Sequence, residues 1–148
     1  PDFTPEQLIS QGLVGSCVTQ LVRSSCEWSM GMKPEVSCYD AMLHYIREAK
    51  HFIFIENQFF ISRSAEAQLT PVKNRIATAI MERIMRAHEA GEIFRVIVFL
   101  PLLPAFESPV HRAEASSVRM IMQGQYSAIS KGPYSILGQL RAKGIAAD

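Results

Sequence analysis

No stretch of this 148-residue chain reaches the roughly 18 consecutive apolar residues that a membrane-crossing helix needs, and Pro1 does not open a signal peptide with a basic leading region. No charge of one sign predominates: 15 Lys and Arg stand against 14 Asp and Glu, a net charge of +1. Nucleic-acid binding rests on clustered Lys and Arg that neutralise phosphates, so this balance implies no nucleic-acid partner. Cysteine is scarce and odd in number. Cys17, Cys26 and Cys38 show no C-x-x-C spacing and no nearby histidine pair. Neither a disulfide framework nor a structural zinc site is expected, and three reduced thiols are.

Familiar catalytic signatures are missing as well. The sequence holds no G-x-S-x-G, no G-x-x-x-x-G-K-[ST], no H-E-x-x-H and no G-x-G-x-x-G, which removes the usual hydrolase, nucleotide, zinc and dinucleotide readings. None of the four histidines begins a His-x-Lys: His44, His51, His88 and His111 are followed by Tyr-Ile, Phe-Ile, Glu-Ala and Arg-Ala. His44 and His88 are read as solvated surface residues on helices, and His51, ahead of a strand, as structural. Arg83, Arg86, Arg95 and Arg112 are read as a solvated face rather than an anion-binding patch.

What is present points to a compact α/β fold. Hydrophobic residues make up 48% and charged residues 20%, ordinary values for one folded domain. Thr4-Pro5 pairs a capping residue with a proline at the first helical position, the start of a short helix. "SCVTQLVRSS" (16–25) alternates in the manner of a strand, and Gly31 and Pro34 then interrupt the chain. Over 35–49, Val36, Tyr39, Met42/Leu43, Ile46 and Ala49 recur at helical spacing. Phe52–Ile55 is apolar on both faces, as expected of a central strand covered by helices on each side. Thr70-Pro71 announces a second helix carrying Val72, Ile76, Ile80, Ile84 and Ala87, with Gly91 as its stop. "IFRVIVFL" (93–100) is a second buried strand, and the strand-helix-strand order makes the pair parallel. Val118, Ile121/Met122, Gln125/Tyr126 and Ile129 mark a third helix and "PYSILGQLRAKGI" (133–145) a fourth. The methionines at 81, 85, 120 and 122 are read as core filler. With no repeat, low-complexity tract or linker, residues 1–148 read as one α/β unit with helices flanking a parallel or mixed sheet, and the abrupt start without Met reads as that of a partial domain.

One short block does not fit a plain core. In "HFIFIENQFFIS" (51–62) Glu56, Asn57 and Gln58 separate two apolar runs, and polar groups are costly inside a core unless paired. At the C-terminal end of a parallel strand they stand where open α/β sheets place their ligand crevice. The competing reading has them hydrogen-bonding neighbouring loop backbone to hold the sheet edge.

The same block, "IREAKHFIFIENQFFIS" (46–62), resembles the third signature block of eukaryotic phospholipase D, Ile-Tyr-Ile-Glu-Asn-Gln-Phe/Tyr-Phe, with Phe54 where Tyr is usual. "QLVRSSCEWSMG" (20–31) is similar to the upstream Leu-Arg-Ser…Trp-Ser-x-Gly block. "RVIVFLPLLPAFE" (95–107) is similar to the downstream strand and Pro-Leu-Leu-Pro-Gly-Phe-Glu loop, with Ala105 in place of Gly, and "YSILGQLRAKGI" (134–145) to the Tyr-Ser-Ile-Leu helix. The Phe-Phe-Ile-Ser ending is closer to enzymes with phox and pleckstrin-homology domains than to the plant type with a calcium-binding domain.

The resemblance implies part of an α/β/α sandwich in which two His-x-Lys-x-x-x-x-Asp motifs meet across a cleft. One histidine attacks the phosphodiester and the other protonates the leaving choline oxygen, then activates water or a primary alcohol; no catalytic metal or other cofactor is required. Phosphatidylcholine would yield phosphatidate and choline at a cytoplasmic membrane face, so the implied partners are a phospholipid surface and the remainder of the catalytic region. Neither His-x-Lys motif is in this sequence, which reads as the interval between them and as inactive alone. Glu56, Asn57 and Gln58 are the residues expected near the phosphate or behind the catalytic groups. The "PLLPAFE" loop is expected at the cleft mouth. The rival readings are a homologue with degenerate motifs and a non-enzymatic α/β module binding a phosphorylated partner or a protein. As an isolated piece, the chain is expected to leave sheet edges and one sheet face uncovered.

Overall fold

The computed structural model describes residues 4–12, 18–65, 71–101 and 116–146. The chain divides into two compact units, one up to Cys38 and one from Tyr39 onward. The first begins with α1 (Pro5–Ser10), whose Thr4 cap is reciprocal: Gln7 N–H donates to Thr4 Oγ1 at 3.3 Å, and Thr4 N–H to Gln7 Oε1 at 2.9 Å. Strands β1 (Ser24–Ser25) and β2 (Glu35–Val36) pair antiparallel around the single-turn helix α2 (Glu27–Met30). Ser37 extends the pairing, since its hydroxyl accepts from Arg23 N–H at 2.9 Å and donates to Arg23 O at 3.0 Å. Arg23 also clasps the Glu35 carboxylate, with Nη2 to Oε1 at 2.7 Å, and that hydrogen bond holds the Glu35 carboxyl below the usual carboxylate range.

The strand expected over 16–25 shrinks to Ser24–Ser25, with 16–17 outside the described residues. Alternation alone does not make a strand. Val18 and Leu21 are fully exposed and have no partner strand among the described residues, so the pattern encodes no ladder there. None of the described residues up to Cys38 is buried.

The second unit holds the core. Helix α3 (Ser37–Glu48) buries Ile46 and leads into β3 (Phe52–Glu56). Helix α4 (Ile76–Glu89) crosses to β4 (Arg95–Phe99), which pairs parallel to β3 in the register Phe52↔Arg95 through Glu56↔Phe99. Helices α5 (Ser116–Ile129) and α6 (Ile136–Ala142) follow, with α6 packed on both α4 and α5. The architecture is α/β. Alternate strand residues Ile53, Ile55, Val96 and Val98 join Ile46, Ala77, Ile80, Met81, Ala128, Ile136 and Leu140 in one cluster. Ile80, only 1% exposed, is worth roughly 2–3 kcal/mol there.

The opposite sheet face carries Phe52, Phe54, Ile97 and Phe99, and all four are exposed. The expectation of a strand covered on both sides is therefore met on one side only, while the expected uncovered face is present.

Helix α4 starts at Ile76 rather than near Pro71. Asn74 is committed elsewhere: its Nδ2 donates to Ile61 O at 3.0 Å and its carbonyl accepts from Arg63 N–H at 3.0 Å, which keeps the preceding turn out of the helix. Arg75 offers no side-chain cap, and Ser62 supplies one from another segment by accepting from Ala77 N–H at 2.9 Å. Thr70, expected to begin this helix, lies outside the described residues. Beyond the last turn Gly91 takes φ +66°, a left-handed conformation that glycine adopts without steric cost. Helix α6 is capped by Ser135, whose Oγ accepts from Gly138 N–H at 3.0 Å. A Cβ at Gly138 would stand 2.3 Å from Gly132 O, so only glycine fits that turn.

Arg83 overturns its reading as a solvated residue. It is 3% exposed, donates from Nε to Ala49 O at 2.6 Å and from Nη2 to Glu92 Oε2 at 2.9 Å, and lies 4.0 Å over the Phe94 ring. The carbonyls that follow α3 need donors, and a planar guanidinium reaches both from one group. Met81 is buried as expected, but Met120 is 72% exposed and fills no core.

Candidate functional site

Parallel pairing puts the C-terminal ends of β3 and β4 at one pole. Glu56 ends β3 opposite Phe99, and Asn57 N–H continues the ladder to Phe99 O at 3.2 Å. Glu56, Asn57 and Gln58 are all exposed. Among the described residues none of their three side chains has a hydrogen-bond or ion-pair partner. Asn and Gln each present an NH₂ donor and a carbonyl acceptor, while an ionised Glu accepts only. An oxyanion ligand at this pole would find amide donors from positions 57 and 58.

The chain after the triplet is held by Phe60, which the sequence marked as an apolar anchor, together with polar partners to which it assigned no role at the site. Phe60, 5% exposed, donates its N–H to Gln125 Oε1 at 3.2 Å. Ser62 caps α4, and Thr78 Oγ1 donates to Arg63 O at 3.0 Å. Ser64 donates its hydroxyl to Tyr134 O, and Gln139 Nε2 donates to Ser64 O at 2.9 Å. These bonds anchor the extended segment 60–64 to α4, α5 and the start of α6. The signal was present in "FISRS", where small hydroxyl side chains at 62 and 64 alternate with larger residues.

His44, His51 and His88 are exposed, and His44 stacks edge-on against Tyr45 at 5.5 Å. His111 and the loop from Leu102 through Glu107, with Ala105, lie outside the described residues. Cys26 and Cys38 are free thiols, and the Ser29 N–H beside Cys26 lowers the pKa of that thiol. Cys26, Trp28, Met32 and Pro34 border an open concavity in the first unit. Among the described residues no group of three or more His, Cys, Asp or Glu is gathered to hold a metal ion, and no helix is long and apolar enough to cross a membrane.

In open α/β sheets the C-terminal ends of parallel strands, where Glu56, Asn57 and Gln58 stand here, are the usual place of a ligand crevice. Comparison with known proteins narrows that class. The family model described as Phospholipase D matches residues 16–148. Phospholipase D1 of Schizosaccharomyces pombe is 43% identical over 147 residues, covering 98% of this chain and 11% of its own. Phospholipase D2 of Bos taurus is 44% identical over 129 residues, 86% of this chain and 13% of its own, and Phospholipase D zeta 1 of Arabidopsis thaliana is 44% identical over 138 residues, 93% and 12%. The chain belongs to the phospholipase D family. It spans about a tenth of the length of these relatives.

Proposed function

We propose that this chain is the central segment of the catalytic region of a phospholipase D of the phox and pleckstrin-homology type. The whole protein hydrolyses phosphatidylcholine to phosphatidate and choline at the cytoplasmic face of a membrane and transfers the phosphatidyl group to primary alcohols. The observation that carries this reading is the triplet: in a chain of this family, Glu56, Asn57 and Gln58 stand exposed and unpaired among the described residues at the C-terminal pole of the parallel strands.

The nucleophilic histidine, the acid and the lysines belong to His-x-Lys motifs outside this sequence, so the segment alone turns over no lipid. Its own contribution is positional. The amides of Asn57 and Gln58 donate to the phosphoryl oxygens or to the catalytic side chains, stabilising charge that grows during displacement. Glu56 acts as an acceptor for neighbouring donors, because an unpaired carboxylate beside a phosphodiester repels it.

The test is product analysis with the full-length protein on phosphatidylcholine vesicles containing 1-butanol. Choline release together with phosphatidylbutanol is the expected result. Vesicle binding without choline release would replace this reading with a degenerate homologue or a binding module.

A further inference from the structure

Among the described residues the triplet's side chains make no bond of their own, so the backbone that carries them sets their direction. Two backbone hydrogen bonds among the described residues bracket it. Asn57 N–H is fixed to Phe99 O at 3.2 Å, and Phe60 N–H to Gln125 Oε1 at 3.2 Å, a buried bond spanning 65 residues of sequence. Only Gln58 and Phe59 lie between the two anchors.

Gln125 is an unusual occupant of its place. It is 7% exposed, on the same stripe of α5 as the buried Val118 and Ala128. An apolar side chain would fill that space without the cost of burying an amide, so the glutamine must serve its partner. Its neighbour Gly124 lets the helix approach closely: a Cβ there would lie 3.3 Å from Ile61 Cδ1. Helix α5 thus meets the chain at Phe60 and Ile61, immediately after the triplet. From Ile61 onward Asn74, Ser62 and Thr78 hold the segment against the start of α4.

We propose that Gln125 is a positioning residue for the reaction, fixing Phe60 N–H and thereby the direction in which Gln58 presents its amide. The proposal rests on the reading of the triplet given under Proposed function. Misplacing a group by about 1 Å can cost up to about a hundredfold in rate without loss of fold.

The experiment is a double-mutant cycle in the full-length protein, with kcat and KM measured on phosphatidylcholine vesicles well below each variant's Tm. Gln125→Met keeps the volume and removes the acceptor; it should lower kcat about tenfold and leave KM within about twofold. Gln125→Glu keeps an oxygen at the same reach and should restore kcat to within about threefold. In a Gln58→Ala background, Gln125→Met should add less than about a twofold loss, because the two residues act through one contact. Independent, multiplicative losses would overturn the proposal, as would a Gln125→Glu variant no better than Gln125→Met. If Gln58→Ala costs turnover and Gln125→Met does not, this inference fails while the site reading stands. If Gln58→Ala is silent, the site reading fails and takes the inference with it. Should Gln125→Met not fold, Gln125→Asn, one methylene shorter, enters the same cycle with the same expected non-additivity.

Discussion

At the N-terminal pole of the β3–β4 sheet a charged side chain is buried and engaged. Arg83 donates to the carbonyls of Ala49 and Lys50, just before β3, and to Glu92, just before β4. At the C-terminal pole Glu56, Asn57 and Gln58 are exposed and, among the described residues, make no side-chain bond at all. Both poles carry polar residues beside the same apolar strands, yet hydrogen-bond accounting separates them. Arg83, buried and bonded through Nε and Nη2, holds the fold together even though its Nη1 has no partner among the described residues, whereas exposed groups left with capacity are available to something outside the fold. The same accounting distinguishes the triplet from Gln125, Ser62 and Gln139, which are amides and hydroxyls too but are consumed in anchoring segment 60–64.

Breaking the closed pole should give the largest effect on stability. Arg83→Met leaves the Ala49 and Lys50 carbonyls without their donor and should cost about 3 kcal/mol, read as a lowered Tm of the unfolding transition in calorimetry of the full-length protein. Turnover per folded molecule, measured well below Tm, should stay near the wild-type value, since nothing at the open pole has been touched. A smaller loss sharpens the contrast from the anchoring segment. Ser62→Ala removes the acceptor for Ala77 N–H in the first turn of α4 and should cost about 1–2 kcal/mol. Chemical denaturation with an unchanged slope would show that the loss is one of stability alone.

Much of this arrangement was legible in the sequence. Runs of β-branched and aromatic residues marked β3 and β4 to within two residues, the spacing of Ile46, Ile80 and Val118 marked three of the helices, and the stretch 133–145 marked the fourth. Parallel pairing followed from the helix between the strands. The failures share a cause, which is that tertiary partners decide what local pattern cannot. Val18 and Leu21 alternate like a strand but find no neighbouring strand among the described residues, and Pro71 looks like a helix start until Asn74 binds Ile61 and delays it. Arg83 is a charged residue on a helix, a type that ordinarily faces water, so nothing local announced that it reaches back to the end of α3. At the site, the block of Glu56, Asn57 and Gln58 was visible as a break between apolar runs. The residues that orient it were not, because Gln125 and Ser62 meet Phe60 and Ala77 only after the chain has folded.

The central claim is that the open pole serves the reaction and not the fold. The most direct measurement compares Asn57→Ala and Gln58→Ala in the full-length protein, reading turnover on phosphatidylcholine vesicles and Tm on the same preparations. The account predicts at least about a tenfold loss of turnover, 1.4 kcal/mol in the barrier, with Tm shifted by no more than about 2 °C. Full turnover, or a fall in Tm large enough to explain the lost activity, would contradict it.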